Sequence, residues 1–105
     1  MQNYDCYTKG LLSFQVMWLL SKKAMHGDEL AGEIGRRRGD KPKAGTIYPA
    51  LKDLSEKGLI KGRKQGKLVV YSLTAEGKRA VKITVMHFCR SFGDIFETRR
   101  RHGGV

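Results

Sequence analysis

The sequence predicts a mainly α-helical domain with one small β-hairpin, in the order helix, helix, helix, strand, strand, helix. Three observations lead to this prediction. Apolar residues recur at helical spacing in four segments, the spacing changes to alternation directly after Gly58, and Gly66 provides a turn within the alternating segment. With 105 residues and 40% hydrophobic content, the chain has enough material for one domain with a modest core.

The first two helices are predicted from the breadth of their apolar faces. Residues 1–8 are expected to form an N-terminal extension. Over 9–23 the apolar residues form a band too broad for a surface helix, which indicates a largely buried first helix. After a break at 25–28, a short second helix carries a narrower apolar stripe, and Gly39 and Pro42 favour a loop behind it.

The third helix is predicted over about 45–57, because three apolar residues lie at positions i, i+4 and i+7. Pro49 restricts where this helix begins. Proline has no N–H group and is tolerated in the first turn, so a start near Gly45 or Thr46 accommodates it. Gly58 is expected to end the helix in the left-handed conformation that glycine adopts without strain.

A hairpin and a long final helix complete the prediction. The strands cover 59–64 and 68–73 around a turn at 65–67, and Thr74 is expected to cap a helix over 75–101. This helix carries a seam of apolar residues spaced four, three, four and three apart, namely Val81, Val85, Phe88, Phe92 and Ile95. A helix this apolar is expected to pair with the same helix of a second copy of the chain. The alternative is that it packs against the first helix alone.

The positive charge is concentrated in the middle of the chain. The formal net charge is +11, and the segment 36–67 contains eleven basic and three acidic residues, which accounts for +8 of it. Such a concentration favours a polyanionic partner, and double-stranded DNA is the leading candidate. Together with the element order, it predicts a winged helix-turn-helix, whose third helix enters the major groove and whose hairpin, the wing, touches flanking DNA.

Three stretches resemble the hallmark sequences of PadR-type transcriptional regulators. They are GTIYPALKDL at 45–54, EKGLI at 56–60 and YSLTAEG at 71–77. The HGDEL stretch at 26–30 is also similar, and the resemblance covers roughly 10–85. It implies a homodimeric repressor with one winged helix per subunit, dimerised through the last helix with help from the first. It also implies that an apolar or phenolic effector is bound by some members.

Eight residues are predicted to contact DNA. They are Lys43, Gly45, Thr46, Tyr48 and Lys52 around the third helix, and Arg63, Lys64 and Lys67 in a wing of about 61–68. Base reading is assigned to Thr46, Tyr48 and Lys52, positioning on the phosphates to the four other basic residues, and Gly45 is expected to let the backbone approach DNA closely. A capping role for Thr46, a Tyr48 ring packed on the flank of the motif and a solvated Lys52 are the alternatives.

The predicted organisation is a DNA-binding domain over 1–74, a dimerisation helix over 75–101 and a flexible tail over 102–105. A small apolar or aromatic effector is a further expected partner, and the residues predicted to line its space are Phe14, Met17, Trp18, Phe88 and Phe92. Ordinary core packing is the alternative role for these side chains.

Several classes of protein are not expected from the sequence. The two cysteines, Cys6 and Cys89, and the histidines lack the spacing of metal ligands, and no nucleophile-with-base or phosphate-loop motif occurs, so we predict no metal, no cofactor and no enzyme. No apolar stretch is long enough to cross a bilayer, and the start lacks a signal-peptide layout, which predicts a cytoplasmic protein. A non-specific architectural DNA-binding protein and a protein–protein adaptor remain as alternatives to a sequence-specific regulator.

Overall fold

The computed structural model describes residues 5–101, and it describes side chains over 10–97. In this range the elements are α1 (Asp5–Leu20), β1 (Met25–His26), α2 (Gly27–Arg38), α3 (Ala44–Glu56), β2 (Ile60–Gln65), β3 (Leu68–Leu73), α4 (Ala75–Phe92) and α5 (Asp94–Arg101). The predicted mainly helical winged fold is confirmed. The sheet has three strands in the order β1-β3-β2 and not the two predicted. The tail predicted at 102–105 lies outside the described residues.

The core forms where α1 meets the helix-turn-helix. α1 begins at Asp5 and so includes part of the predicted extension, and it contacts α2, α3, α4 and β3. The central position of α1 explains its broad apolar band. The largest fully buried side chains are Val16, Leu30, Ile34, Ile47, Leu51 and Ile60. The predicted stripe of α3 is confirmed, because all three of its residues are at most 3% exposed, and the opposite face of α3 is therefore outward.

The short strand β1 and the start of α2 share one residue, His26. β1 pairs antiparallel with β3, so that Met25 lies opposite Tyr71 and His26 opposite Val70. The Nδ1 atom of His26 accepts a hydrogen bond from the Glu29 N–H at 3.2 Å, and the Glu29 carboxylate accepts one from the His26 N–H at 3.1 Å. This reciprocal capping box fixes the first turn of α2 against the sheet.

One junction ties the end of α3, the base of the wing and the start of α4 together. The Thr74 hydroxyl accepts a hydrogen bond from the Gly77 N–H at 3.0 Å and donates one to the Gly58 carbonyl at 2.6 Å. The Thr74 N–H donates to the Leu59 carbonyl at 3.1 Å. The predicted cap at Thr74 and the left-handed Gly58, with φ of +75°, are both confirmed. The wing is thereby held at a fixed place beside α3.

The C-terminal segment is broken into two helices, contrary to the single helix predicted over 75–101. α4 ends at Phe92, where the Gly93 N–H donates to the Cys89 carbonyl at 2.9 Å, and α5 starts at Asp94. A Cβ atom at position 93 would lie 2.5 Å from the Cys89 carbonyl oxygen. Glycine tolerates this close approach and also disfavours helix continuation, so the break falls at Gly93.

Candidate nucleic-acid interface

The outward face of α3 carries all five residues predicted around the third helix. Lys43, Gly45, Thr46, Tyr48 and Lys52 are exposed. Lys43 is the N-cap, in extended conformation, and its side chain makes no hydrogen bond to the N–H groups of the first turn. Thr46 is the third helical residue, and its N–H donates to the Lys43 carbonyl at 2.9 Å. The alternative of Thr46 as the helix cap is therefore wrong.

Pro49 lies in the second turn of α3 and not in the first, because the helix already begins at Ala44. A proline at this position removes the hydrogen bond that an N–H would donate to the Gly45 carbonyl. Nothing lies within 4 Å of the place where a Gly45 side chain would begin. The start of α3 therefore presents an open, sparsely covered backbone to the outside.

Tyr48 combines packing with exposure. A Cβ atom added at Gly27 would lie 2.8 Å from Cε1 of Tyr48 and 2.9 Å from its hydroxyl, so the ring rests on the start of α2. The residue is nevertheless 48% exposed. One side of the ring is therefore held by the flank of the helix-turn-helix, while the rest stays accessible one helical turn from Lys52.

The wing presents four exposed cations, namely Lys61, Arg63, Lys64 and Lys67. No acidic residue occurs in the sequence between Glu56 and Glu76. None of the four takes part in a salt bridge among the described side chains. The predicted set omitted Lys61, although the alternation of strand residues already places it on the same face as Arg63.

The wing tip is a tight hairpin. β2 and β3 pair in antiparallel register from Ile60 opposite Leu73 to Gln65 opposite Leu68. Only Gly66 and Lys67 lie between the strands, and Gly66 has φ of +61°. A glycine at the first central position of a two-residue loop is the arrangement that a type II′ turn requires. The cations therefore project from a rigid support.

Basic residues elsewhere are partly neutralised by neighbours on their own helices. Glu33 lies 2.5 Å from the guanidinium of Arg36 and 3.0 Å from that of Arg37, and Lys57 lies 2.9 Å from Asp53. Hydrogen bonds from Arg36 and then Arg37 lower the pKa of Glu33, which in turn raises the pKa of Arg36. Twelve of the described Lys and Arg side chains have no salt-bridge partner, and six of these twelve are Lys43, Lys52 and the four cations of the wing.

The second predicted site, the apolar seam of the last helix, is only partly exposed. Val81 is 6% exposed and belongs to the core of the single chain, so it is not available to a partner. Val85 is half-buried against that core, whereas Phe88, Phe92 and Ile95 are 39–52% exposed. The Phe88 and Phe92 rings contact each other, with centroids 5.4 Å apart. An apolar surface therefore remains uncovered from Val85 onward.

Only some of the residues predicted to line an effector space lie together in the structure. Met17 is buried in the core, and Phe92 lies beside the groove without lining it. Phe14, Trp18 and Phe88 do line an apolar groove of about 320 Å³ between α1 and the C-terminal helices. Val85 and Phe96 complete its lining. The Lys22 ammonium lies 4.2 Å from the centre of the Trp18 ring.

The described part of the chain contains neither a candidate metal centre nor a membrane-spanning helix. In the part of the chain that the structure describes, no cluster of three or more His, Cys, Asp or Glu side chains is arranged to hold a metal ion. Within the same range, no helix has the length and apolar character needed to cross a membrane.

Comparison with known proteins agrees with this architecture. Residues 16–83 match the family described as transcriptional regulator PadR-like. The chain belongs to the PadR-like family of transcriptional regulators. The match includes the start of α2, the whole of α3, the wing and the first half of α4, so the PadR resemblance of the sequence motifs is confirmed. Comparison with curated proteins finds no significant match.

Solved structures with the PadR-like fold include regulators from bacteria and an archaeon. The chain is similar to a PadR family transcription regulator from Clostridium difficile, with a TM-score of 0.67 and 28% identity over 87% of this chain and 96% of that one. It is similar to RosR from H. salinarum, with a TM-score of 0.72 and 27% identity over 77% and 74% of the two chains. It is also similar to Bacillus subtilis PadR in complex with operator DNA, with a TM-score of 0.63 and 28% identity over 71% of this chain and 45% of that one.

Proposed function

We propose that this PadR-like protein is a sequence-specific repressor that binds double-stranded DNA as a homodimer, with α3 in the major groove and the wing on flanking DNA. The observation that carries the proposal is the wing itself. It has four exposed cations that form no salt bridge with any side chain in the range 10–97, in a stretch of sequence without an acidic residue. The similarity to B. subtilis PadR, which was solved with operator DNA, supports the same use of the fold.

The proposed contacts divide into positioning and reading. Lys43, Arg63, Lys64 and Lys67 neutralise phosphates and supply the salt-dependent part of the affinity. Thr46, Tyr48 and Lys52 face the groove and read base edges. Gly45 has no side chain, so the backbone at the start of α3 can approach a phosphate closely.

The homodimer is proposed to form through the exposed part of the C-terminal seam. Val85, Phe88, Phe92 and Ile95 lie at heptad-like spacing, and three of them are largely uncovered in the single chain. An apolar stripe of this extent on a small domain is typical of an interface. A two-fold symmetric dimer presents two recognition helices to two half-sites.

A small planar, apolar effector is proposed to occupy the groove lined by Phe14, Trp18 and Phe88. The groove shares Val85 and Phe88 with the proposed dimer seam, so an effector bound there would lie at the contact between the two subunits. Trp18 is the only tryptophan in the sequence, so its fluorescence reports on the groove directly. Titration with 1-anilinonaphthalene-8-sulfonate is expected to quench Trp18 in the wild type and much less in Phe88→Ala. Equal quenching in both proteins would contradict this site.

Competition binding tests the proposed specificity. We expect a promoter fragment next to the protein's own gene to be bound far more tightly than random duplex DNA at physiological salt. Equal affinity for both duplexes would instead indicate a non-specific architectural DNA-binding protein. The absence of duplex binding even at low salt would favour an adaptor that keeps the fold and binds proteins.

A further inference from the structure

Exposed apolar side chains are divided unevenly over the molecule. Nine large apolar residues are exposed among the described side chains, and seven of them lie on α1, α4 and α5, three of these seven (Phe88, Phe92 and Ile95) within the proposed dimer seam. The other two lie on the proposed DNA-binding elements. They are Tyr48 on α3 and Leu68 at the tip of the wing, which is 51% exposed. Neither the core nor the proposed seam accounts for Leu68.

The register of the hairpin places Leu68 beside a cation. Ile60 and Leu73 form the buried pair at the base of the wing, and side chains alternate between the two faces of a strand. By this alternation Arg63 and Leu68 lie together on the face opposite to the buried pair. Leu68 lies opposite Gln65 and directly follows the two-residue turn. The outermost pair of this face therefore combines the apolar Leu68 with the uncharged Gln65, and Arg63 and Lys67 lie next to it.

We infer that Leu68 is an apolar DNA contact, which enters the minor groove beside the major-groove site while Arg63 and Lys67 reach the phosphates or the groove edge. This inference rests on the proposed function. The walls of the minor groove are formed by deoxyribose rings, and proteins that bind there combine basic residues with inserted apolar side chains. Gly66 has no side chain, so the turn can approach the groove closely.

The surrounding charge selects DNA over an apolar protein surface as the occupant. Arg63 shares the face of Leu68 and Lys67 directly precedes it at the turn, while Lys64 lies on the other face of the same tip, and the whole wing lacks acidic residues. Burying these cations against an uncharged partner would remove them from water without compensation. Phosphates on both sides of a minor groove compensate them, while the sugars accept the leucine.

The variants Leu68→Ala and Arg63→Ala separate an apolar contact from a charged one. Binding to a duplex is measured over a range of salt concentrations for the wild type and both variants. We expect Leu68→Ala to bind about tenfold more weakly with an unchanged salt slope, since it loses buried carbon atoms and no phosphate contact. Arg63→Ala is expected to weaken binding and flatten the slope by roughly one phosphate contact. Leu68→Met, which preserves the apolar contact, should restore most of the affinity.

The outcomes also distinguish this inference from the proposed function. Wild-type affinity in Leu68→Ala, with weakened binding in Arg63→Ala, would overturn the Leu68 contact and leave the DNA-binding wing intact. A loss in Leu68→Ala with a flattened slope would also overturn it, because that result indicates a displaced wing. A wild-type protein that binds no duplex at low salt would overturn the proposed function itself.

Discussion

Gly27 and Tyr48 are packed so closely that a methyl group added at Gly27 should lower DNA affinity without lowering the stability of the fold. In Gly27→Ala the new Cβ would lie within 2.9 Å of the Tyr48 ring, which must then move away from its place on α3. The ring is half exposed and free to rotate outward, so we expect little change in the free energy of unfolding. DNA affinity should fall about fivefold or more, as for the loss of one polar contact.

Gly32→Ala is the matched control for this prediction. Gly32 also lies in α2, but nothing is within 4 Å of its Cβ position. Alanine there should raise the free energy of unfolding by about 0.5–1 kcal/mol and leave DNA affinity unchanged. Urea unfolding and duplex titration of both variants provide the measurement. Unchanged affinity in Gly27→Ala would show that the position of the Tyr48 ring does not matter for binding.

Glu33 should make the stability of α2 depend on acid pH. Hydrogen bonds from Arg36 and then Arg37 lower the pKa of this carboxyl in the folded protein. A lowered carboxyl pKa means that the stabilisation is present above the ordinary pKa and is lost as the pH falls through the lowered one. Glu33→Gln should therefore reduce the difference in unfolding free energy between neutral and acid pH. An identical difference in the variant and the wild type would contradict this role of Glu33.

At the scale of the elements, the sequence predicted those whose signals are local. The stripe of α3, the alternation of the wing, the left-handed Gly58 and the cap at Thr74 each depend on a few neighbouring residues, and all are found in the structure. β1 was missed because two residues cannot show alternation and become a strand only by pairing with β3. The break at Gly93 was missed because the apolar spacing continues across it.

The wing should carry a measurable share of the salt dependence of DNA binding. Lys64→Gln combined with Lys67→Gln removes two exposed cations, and each lost phosphate contact flattens the slope of log affinity against log salt by roughly 0.9. The slope should therefore fall by about two. Lys82→Gln combined with Arg90→Gln removes the same charge from α4 and should leave the slope nearly unchanged. Equal effects of both double variants would indicate a general charge effect and contradict a specific wing contact.

At the scale of the whole molecule, the candidate sites were predicted less completely than the fold. All eight predicted DNA-contact residues are exposed, because the buried stripe of α3 and the turn at Gly66 already determine which residues face outward. Val81 was assigned to the dimer seam but lies in the core, and Met17 has the ordinary core role that was set beside its place in the effector space. An apolar helix shows the same periodicity whether it faces its own domain or a partner, so only the packing of α1 against α4 separates the two roles.

The exposed seam should control assembly. Phe88→Ala combined with Phe92→Ala should weaken dimerisation roughly a hundredfold or more, since burying each phenylalanine is worth about 1.5–3 kcal/mol. Ile83→Ala is the control, because Ile83 is equally exposed but lies on the opposite side of α4 from Val85. Sedimentation equilibrium measures both. A double variant that remains as dimeric as the control would contradict the assigned interface.

The central claim is that the protein is a dimeric regulator that reads DNA with α3 and the wing. A footprint on bound promoter DNA is the sharpest test of this claim. We expect two protected half-sites related by two-fold symmetry, with centres about one helical turn of 10 base pairs, or a multiple of it, apart. Protection of the flanking minor groove should disappear when Lys64 and Lys67 are neutralised. Uniform protection without symmetry or register, or no protection at any salt concentration, would contradict it.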